Sequence, residues 1–192
     1  MADIYFISDP HFGHINMALK RGFDTVEEHD ELIVSNWNKV ITKRDVVYLL
    51  GDITMEKGNY DVLDRLNGII KVVLGNHDMP QHVPKLLEKV NKVSGCIKWK
   101  DCILTHIPIH PMEIDRFRYN IHGHIHEYDT GHPKYINVSC ETIGYTPRTF
   151  EELIEKRTWI MEKENSRLMA WKQMFVQNMQ DLYVRIFKTQ KD

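Results

Sequence analysis

Cysteine is scarce in this 192-residue chain. The three present, Cys96, Cys102 and Cys140, include no C-x-x-C pair. An odd count without paired spacing argues against a disulfide framework and a thiolate zinc site, and leaves reduced, structural thiols. Long apolar runs are also missing, since nothing approaches the ~18 residues that a transmembrane helix needs. The N-terminus, Met1-Ala2-Asp3-Ile4-Tyr5-Phe6-Ile7, lacks the charged region of a secretion signal, so a cytoplasmic location is the expectation. In that setting Asn137-Val138-Ser139, which fits a glycosylation sequon, reads as plain strand sequence. Nor is there an excess of one charge. A net charge of -2 and a pI of about 6.6 give no bulk attraction to duplex nucleic acid or an anionic membrane. Repeats, low-complexity segments and domain linkers are absent, and 42% hydrophobic content suits one soluble globular domain with a real core.

What the chain does have is regular patterning. β-branched and aromatic runs predict strands at Ile4–Ser8, Val46–Leu50, Ile69–Leu74, Cys102–Thr105, Tyr119–Ile121 and Tyr135–Ser139. Cys96–Trp99 is expected to pair with Cys102–Thr105 through a Lys100-Asp101 hairpin. Thr25-Val26-Glu27-Glu28 is a capping box. The helix it opens should run to about Lys39 and bury Leu32, Ile33, Trp37 and Val40. A second helix is expected near Tyr60–Leu66, ending at Asn67-Gly68, and a third after Pro84, covering Leu86, Leu87 and Val90. Strands and helices alternate in the first half, as in α/β proteins, whereas the second half reads as a hairpin-like sheet. Two packed sheets flanked by helices reconcile the halves. From Thr149 onward Leu168, Trp171, Phe175, Met179, Leu182 and Ile186 recur at steps of three or four, a helical apolar stripe.

Histidine is the unusual item: eleven are present, and most stand beside Asp, Asn or Gly at the ends of apolar runs. Five such clusters occur in order: Asp9-Pro10-His11, Gly51-Asp52, Gly75-Asn76-His77-Asp78, Thr105-His106 and His122-Gly123-His124-Ile125-His126. Ligands in open α/β sheets bind beyond the carboxyl ends of strands. Extended backbone in Asp-x-His and His-x-His would put residues i and i+2 on one side. Gly51, Gly75 and Gly123 would allow close backbone approach or positive φ. Imidazole, carboxylate and one amide oxygen, without sulfur, suit Mn, Fe, Zn or Ni. Seven such ligands are too many for one ion but fit two ions that share a carboxylate.

The five blocks resemble those of the calcineurin-like metallophosphoesterase superfamily, which read Asp-x-His, Gly-Asp, Gly-Asn-His-Asp/Glu, a lone His, and Gly-His-x-His. The resemblance covers about residues 4 to 155. Asp9-Pro10-His11-Phe12-Gly13-His14-Ile15-Asn16 is similar to a small bacterial and phage branch carrying Asp-x-His-Phe-Gly-His-x-Asn. The resemblance implies a four-layer α/β/β/α sandwich, here residues 1–156; residues 157–192 lie outside it and read, from their apolar stripe, as a C-terminal helical extension. It implies two divalent cations, Mn favoured. Asp9, His11, Asp52 and His126 would hold one, and Asp52, Asn76, His106 and His124 the other, with Asp52 between them. His77 would stand beside the substrate phosphate as a catalytic residue. Two cations lower the pKa of a shared water, so that hydroxide would attack phosphorus in line with the leaving oxygen.

Around this set several residues carry two readings. Asp78 either orients His77, in a catalytic role, or caps a loop. His14 and Asn16 either touch the phosphate and shape the pocket or cap the turn after the first strand. Arg118 either meets substrate phosphate or forms a surface ion pair. His122 is expected to face away and pack, and His110 to lie near the pocket. His29, His82 and His132 read as surface residues. The preferred activity is hydrolysis of a small phosphodiester of nucleotide or cyclic-nucleotide type. A phosphomonoesterase is the enzyme alternative, and a non-catalytic scaffold of the same fold is the other. Gly51-Asp52-Ile53-Thr54-Met55-Glu56-Lys57 lacks the arginine of the protein phosphatases. The DNA-facing capping domain of the superfamily's nucleases has no counterpart. The expected partner is a small phosphoester substrate, with no membrane and no strong sign of duplex binding. The C-terminal stripe would pack on the domain, or serve as a homo-oligomer contact or a lid.

Overall fold

A computed structural model describes residues 2–55 and 58–188. The chain divides into two compact units, Met1–Leu153 and Ile154–Asp192.

The first unit contains two mixed β-sheets flanked by helices. Strands β1 (Ile4–Ile7), β2 (Val46–Leu49), β3 (Ile69–Val73) and β4 (Lys92–Ser94) are parallel, in the order β4-β3-β2-β1, and β9 (Arg148–Thr149) pairs antiparallel on the far side of β1. The other sheet has the order β5-β6-β7-β8, from β5 (Ile97–Trp99), β6 (Cys102–Leu104), β7 (Asn120–His122) and β8 (Tyr135–Asn137). Val47, Tyr48 and Leu49 are buried in succession, because both faces of a central parallel strand are covered. Phe6 of β1 meets Trp99 of β5 edge-on at 5.0 Å between ring centres, which joins the facing sides of the sheets.

The hairpin at Lys100-Asp101 forms as expected, with Trp99 opposite Cys102 and Lys100 at φ 51°. The rest of the second sheet is not hairpin-like: β6–β7 and β7–β8 are parallel. Strand periodicity carries no direction, so the alternation of local runs could not separate these arrangements.

Helix α2 (Val26–Val40) starts at the predicted cap, where the Thr25 hydroxyl accepts from Glu28 N at 3.1 Å. Glu28 itself accepts from Asp24 N at 3.3 Å rather than from Thr25. The buried stripe runs through His29, Ile33 and Trp37, with Val34 beside it. Leu32 and Val40 lie in the next i, i+4 row and are exposed, which corrects their core assignment. Trp37 fastens the helix by donating Nε1–H to Asn67 O at 2.8 Å. Tyr60–Leu66 yields a 3₁₀ helix, Asp61–Arg65, ahead of Gly68 at φ +102°. The segment after Pro84 buries Leu86 and Val90 on α3 (Val83–Leu87) and the turn beyond it, while Leu87 is exposed. Two short helices have no expectation behind them, α1 (Ile15–Lys20) and α4 (Cys140–Ile143).

Helix α5 (Phe150–Lys188) opens in the first unit with a reciprocal cap: Thr149 N donates to Glu152 Oε2 at 2.8 Å, and Glu152 N donates to Thr149 Oγ1 at 3.3 Å. Its remainder lies in the second unit. Leu168, Trp171 and Phe175 are exposed there, and the rings of Trp171 and Phe175 stack at 5.6 Å. The side chains of Met179, Leu182 and Ile186 lie outside the described residues. Among the described residues no helix is long and apolar enough to cross a membrane. All three cysteines are free thiols, Cys102 and Cys140 buried and Cys96 exposed.

Candidate metal centre

The carboxyl ends of β1, β2, β3, β6, β7 and β8 reach one place because the two sheets join there. Ser8 N donates to Val138 O at 2.9 Å and Cys140 N to Ser8 O at 3.0 Å, bridging the end of β1 to the end of β8. The loop after β1 then runs beside the loop after β2, through Asp9 N to Gly51 O and His11 N to Asp52 O, both at 3.1 Å. Gly123 N donates to His106 O at 2.9 Å, aligning the loops after β6 and β7. Loops fixed to one another in this way hold their side chains without help from a ligand.

All seven residues expected as ligands converge here. Asp9, His11 and His126 form one group and Asp52, His106 and His124 another, the ligand atoms within each lying inside 4.8 Å of one another. Asp52 Oδ2 stands between them, 3.8 Å from His11 Nε2 and 3.3 Å from His106 Nε2. Asn76 Oδ1 completes the second group at 3.0 Å from His106 Nε2.

The backbone achieves this differently from the extended i, i+2 geometry expected. Asp9, His11, Asp52, His124 and His126 all have positive φ, between 49° and 69°. Non-glycine residues there cost about 1–3 kcal/mol each, and such strain collects where function needs a set geometry. Gly75 and Gly123 serve close approach instead. A Cβ on Gly75 would lie 2.2 Å from Asp52 Oδ1, and one on Gly123 would lie 2.3 Å from Asp9 Oδ2.

The donor set fits divalent cations. Asp9 Oδ1 and His11 Nε2 are buried, have no hydrogen-bond partner among the described residues, and face each other at 3.9 Å. Buried polar atoms left so are rare and costly unless something is held between them. In the second group His106 Nδ1 lies 2.7 Å from Leu50 O, so it carries the hydrogen and turns Nε2 inward. That nitrogen meets Asp52 Oδ2, Asn76 Oδ1 and, at 3.2 Å, His124 Nδ1. One proton cannot satisfy so many lone pairs, whereas a cation can.

Electrostatics agree. Burial drives the His11 imidazolium down to about 3 against the pull of Asp52, so the ring is neutral and able to bind metal near pH 7. Burial raises the Asp9 carboxyl. It also pushes Asp52 up, but the His106 hydrogen bond and charge outweigh it and hold Asp52 low. Burial opposes a charge on His106, yet its bond to Asp52 and the nearby carboxylates outweigh it and raise its pKa.

Other candidates sort by position. His77 N donates to Asp52 Oδ1 at 2.9 Å, and its ring centre is 5.9 Å from that of His11. His14, at the start of α1, has its ring centre 6.3 Å from that of His11 and a buried Nδ1 without a partner among the described residues. Asn16 is exposed in the first turn of α1. Of the two readings of Asp78, the hydrogen bonds are those of a loop cap. It accepts from Asp52 N and Gly75 N at 2.8 Å and from Ile53 N at 3.2 Å. Arg118 is an exposed residue before β7, at the end away from His124, paired with Asp101 at 3.7 Å, so the surface ion pair replaces the phosphate contact. His122 is buried against Tyr135, as expected, because the left-handed backbone of His124 (φ 69°) breaks the extended i, i+2 alternation, and His110 is exposed. His29 corrects the surface reading. It is fully buried, because it sits in the inward row of α2.

Four polar residues that support the ligands went unrecognised in the sequence. Ser139 Oγ donates to Asp9 Oδ2 at 2.9 Å, beside a 2.9 Å bond from His124 N to the same oxygen. Asn137 Nδ2 donates to His126 O at 2.7 Å. Glu141 lies 2.9 Å from His126 Nδ1 and is gripped by Arg21 at 2.7 Å. Ser139 and Glu141 follow strand β8 as the other clusters follow theirs, a signal present in the sequence. Arg21 had none.

Fold and site together define an α/β protein whose strand ends gather two Asp/His groups able to hold metal ions. The chain belongs to the family of an uncharacterized protein from Methanocaldococcus jannaschii, with which it is 36% identical over 172 residues, 81% of this chain and 93% of that protein. It is also similar to the gene 66 protein of Mycobacterium phage L5, at 38% identity over 86 residues, 42% of each chain. Among solved structures, a protein of unknown function from Aquifex aeolicus superposes with a TM-score of 0.66 at 27% identity, covering 81% of this chain and 99% of that one. No protein-family model matches the chain.

Proposed function

We propose that the protein is a metal-dependent phosphoesterase with a two-cation centre, acting on a small phosphodiester of nucleotide or cyclic-nucleotide type. One observation carries the reading: two Asp/His groups stand on either side of Asp52, with buried donor atoms facing one another unbonded. The order of the five motif blocks, similar to that of calcineurin-like metallophosphoesterases, supports phosphate esters as the substrate class. Asp9, His11, Asp52 and His126 would hold one cation, and Asp52, Asn76, His106 and His124 the other. Bound divalent cations supply Lewis acidity to a phosphoryl group and make water acidic near neutral pH.

The chain's own residues do the rest. Asp52, braced by Asp78 through the backbone, keeps the two ligand groups in register. Ser139 and His124 N fix one oxygen of Asp9, leaving Oδ1 to bind. His77 and His14 flank His11, where an imidazole N–H can hydrogen-bond a phosphoryl oxygen and pass a proton to the leaving oxygen.

The test is hydrolysis of bis(p-nitrophenyl) phosphate and p-nitrophenyl phosphate by chelator-stripped protein resupplied with Mn, Fe, Zn or Ni. Turnover that requires metal, favours the diester and disappears in Asp52→Ala is the expected result. No turnover of either ester with any of these metals would overturn the reading.

A further inference from the structure

The two ligand groups share contacts through His124 N and the His11 main chain, but each is also braced from its own part of the protein. Asp52 and the Gly75–Asn76 loop rest on Asp78, and His106 rests on Leu50 O. The Asp9–Pro10 main chain and, through Glu141, His126 connect instead to Arg21, the C-cap of α1, whose side chain is 2% exposed. Each of its five guanidinium N–H groups has a partner. Nε and Nη2 reach Glu141 Oε1 at 2.8 and 2.7 Å. Nη2 also donates to Asp9 O at 2.8 Å, while Nη1 donates to Pro10 O at 3.1 Å and to His29 Nε2 at 2.8 Å. His29 Nε2 therefore accepts, its Nδ1–H donates to Asp30 at 2.8 Å, and Asp30 accepts from Gly13 N at 2.8 Å. The network grips the Asp9–Gly13 loop at three backbone groups. It also ends on a side chain of the other sheet's loops, His126 Nδ1, 2.9 Å from Glu141 Oε1.

We propose that Arg21 and Glu141 are a positioning pair, which fixes Nε2 of His126 as its ligand atom and holds the cation position of Asp9, His11 and His126 independently of the other position. The proposal rests on the two-cation reading above. An ionised Glu141 only accepts, so His126 Nδ1 carries the hydrogen and the lone pair stays on Nε2. His126 lies in left-handed backbone at φ 49°, its side chain 18% exposed and its ring stacked on His11 at 5.4 Å, contacts that do not distinguish its two ring nitrogens. Arg21 keeps Glu141 in place and joins it to the Asp9–Pro10 carbonyls. A lysine offers three donors from one point and cannot reach all of these partners.

The experiment titrates Mn alone into the full-length, metal-stripped protein by calorimetry, for wild type, E141Q and R21K, and records histidine ¹⁵N resonances of the Zn-loaded wild type. Two ions are expected on wild type. In each variant one of them should bind about 10–100-fold more weakly, while the other changes by less than about threefold. In H126A, which lacks the position concerned, adding E141Q should leave the remaining affinity unchanged. The wild-type spectrum should place the proton of His126 on Nδ1 and the metal on Nε2, a readout that needs no variant to fold. Two ions bound by E141Q and R21K as tightly as by wild type, an equal loss at both positions, or metal on Nδ1 of His126 would overturn the pairing and leave the two-cation reading intact. Fewer than two ions on wild type would overturn that reading, and the proposal with it.

Discussion

Gly51 is a place where a single methyl group should do harm for two separate reasons. It lies between β2 and Asp52 at φ +89°, and a Cβ there would sit 2.4 Å from Gly75 N, 2.7 Å from Gly75 Cα and 2.8 Å from His106 Nδ1. Two costs therefore add. Left-handed backbone costs a residue with a Cβ about 1–2 kcal/mol. Forcing apart packed groups costs about 1–3 kcal/mol, and here two of the three neighbours are main chain, unable to swing away. The sum is about 2–5 kcal/mol, or roughly 4–20 °C in melting temperature at ~2–4 °C per kcal/mol for a domain of this size. Gly131→Ala isolates the first cost, since Gly131 has φ +72° and open space around it. Gly95→Ala isolates neither and should be neutral or stabilising by about 0.4–1 kcal/mol, through a less flexible unfolded chain. Thermal melts of the three variants, metal-free, should rank Gly51→Ala well below Gly131→Ala, and that below Gly95→Ala. Because the methyl pushes on the Gly75–Asn76 loop and on His106, Gly51→Ala should also weaken Mn uptake. A Gly51→Ala protein that melts within about 2 °C of wild type and takes up metal normally would refute the packing argument.

Three further outcomes follow from the same structure. Mn at a hundred times its dissociation constant should add about 2.7 kcal/mol per independent site, a melting rise of several degrees that EDTA reverses; an unchanged melt would count against a metal site. Asp78→Ala leaves the N–H groups of Asp52, Ile53 and Gly75 without their acceptor, and should destabilise by about 2–4 kcal/mol in chemical denaturation, against a surface substitution such as Glu113→Ala, within about 0.5 kcal/mol. Asp45 accepts from Asp3 N, Thr42 N and Thr42 Oγ1, bonds that hold its carboxyl below the ordinary aspartate value. A depressed folded value means stability present above the unfolded pKa and lost as pH falls through the folded one. Asp45→Ala should therefore lower stability at pH 7 and lose less than wild type between pH 5 and pH 2, and equal acid sensitivity in both would contradict the assignment.

The Asp52 region was legible in the sequence for a physical reason. A side chain suited to hold a cation carries a carboxylate, amide oxygen or imidazole, and one at a strand end follows an apolar run, so composition and order together marked Asp9, His11, Asp52, Asn76, His106, His124 and His126 as candidates. The α2 cap at Thr25 and the Lys100-Asp101 hairpin were legible too, because caps and tight turns are local contests between a few side chains and the backbone. Three things needed the tertiary structure. The parallel pairing of β6, β7 and β8 depends on which strand lies beside which, and a strand's own residues do not encode that. The partner that the buried His29 ring finds depends on Arg21 arriving from the C-cap of α1. The left-handed backbone of five candidate ligand residues is local strain that only surrounding contacts can hold in place. Arg21 and Glu141 are 120 positions apart in the chain, and they acquire a meaning toward His126 only once the loops of both sheets have been brought to one point.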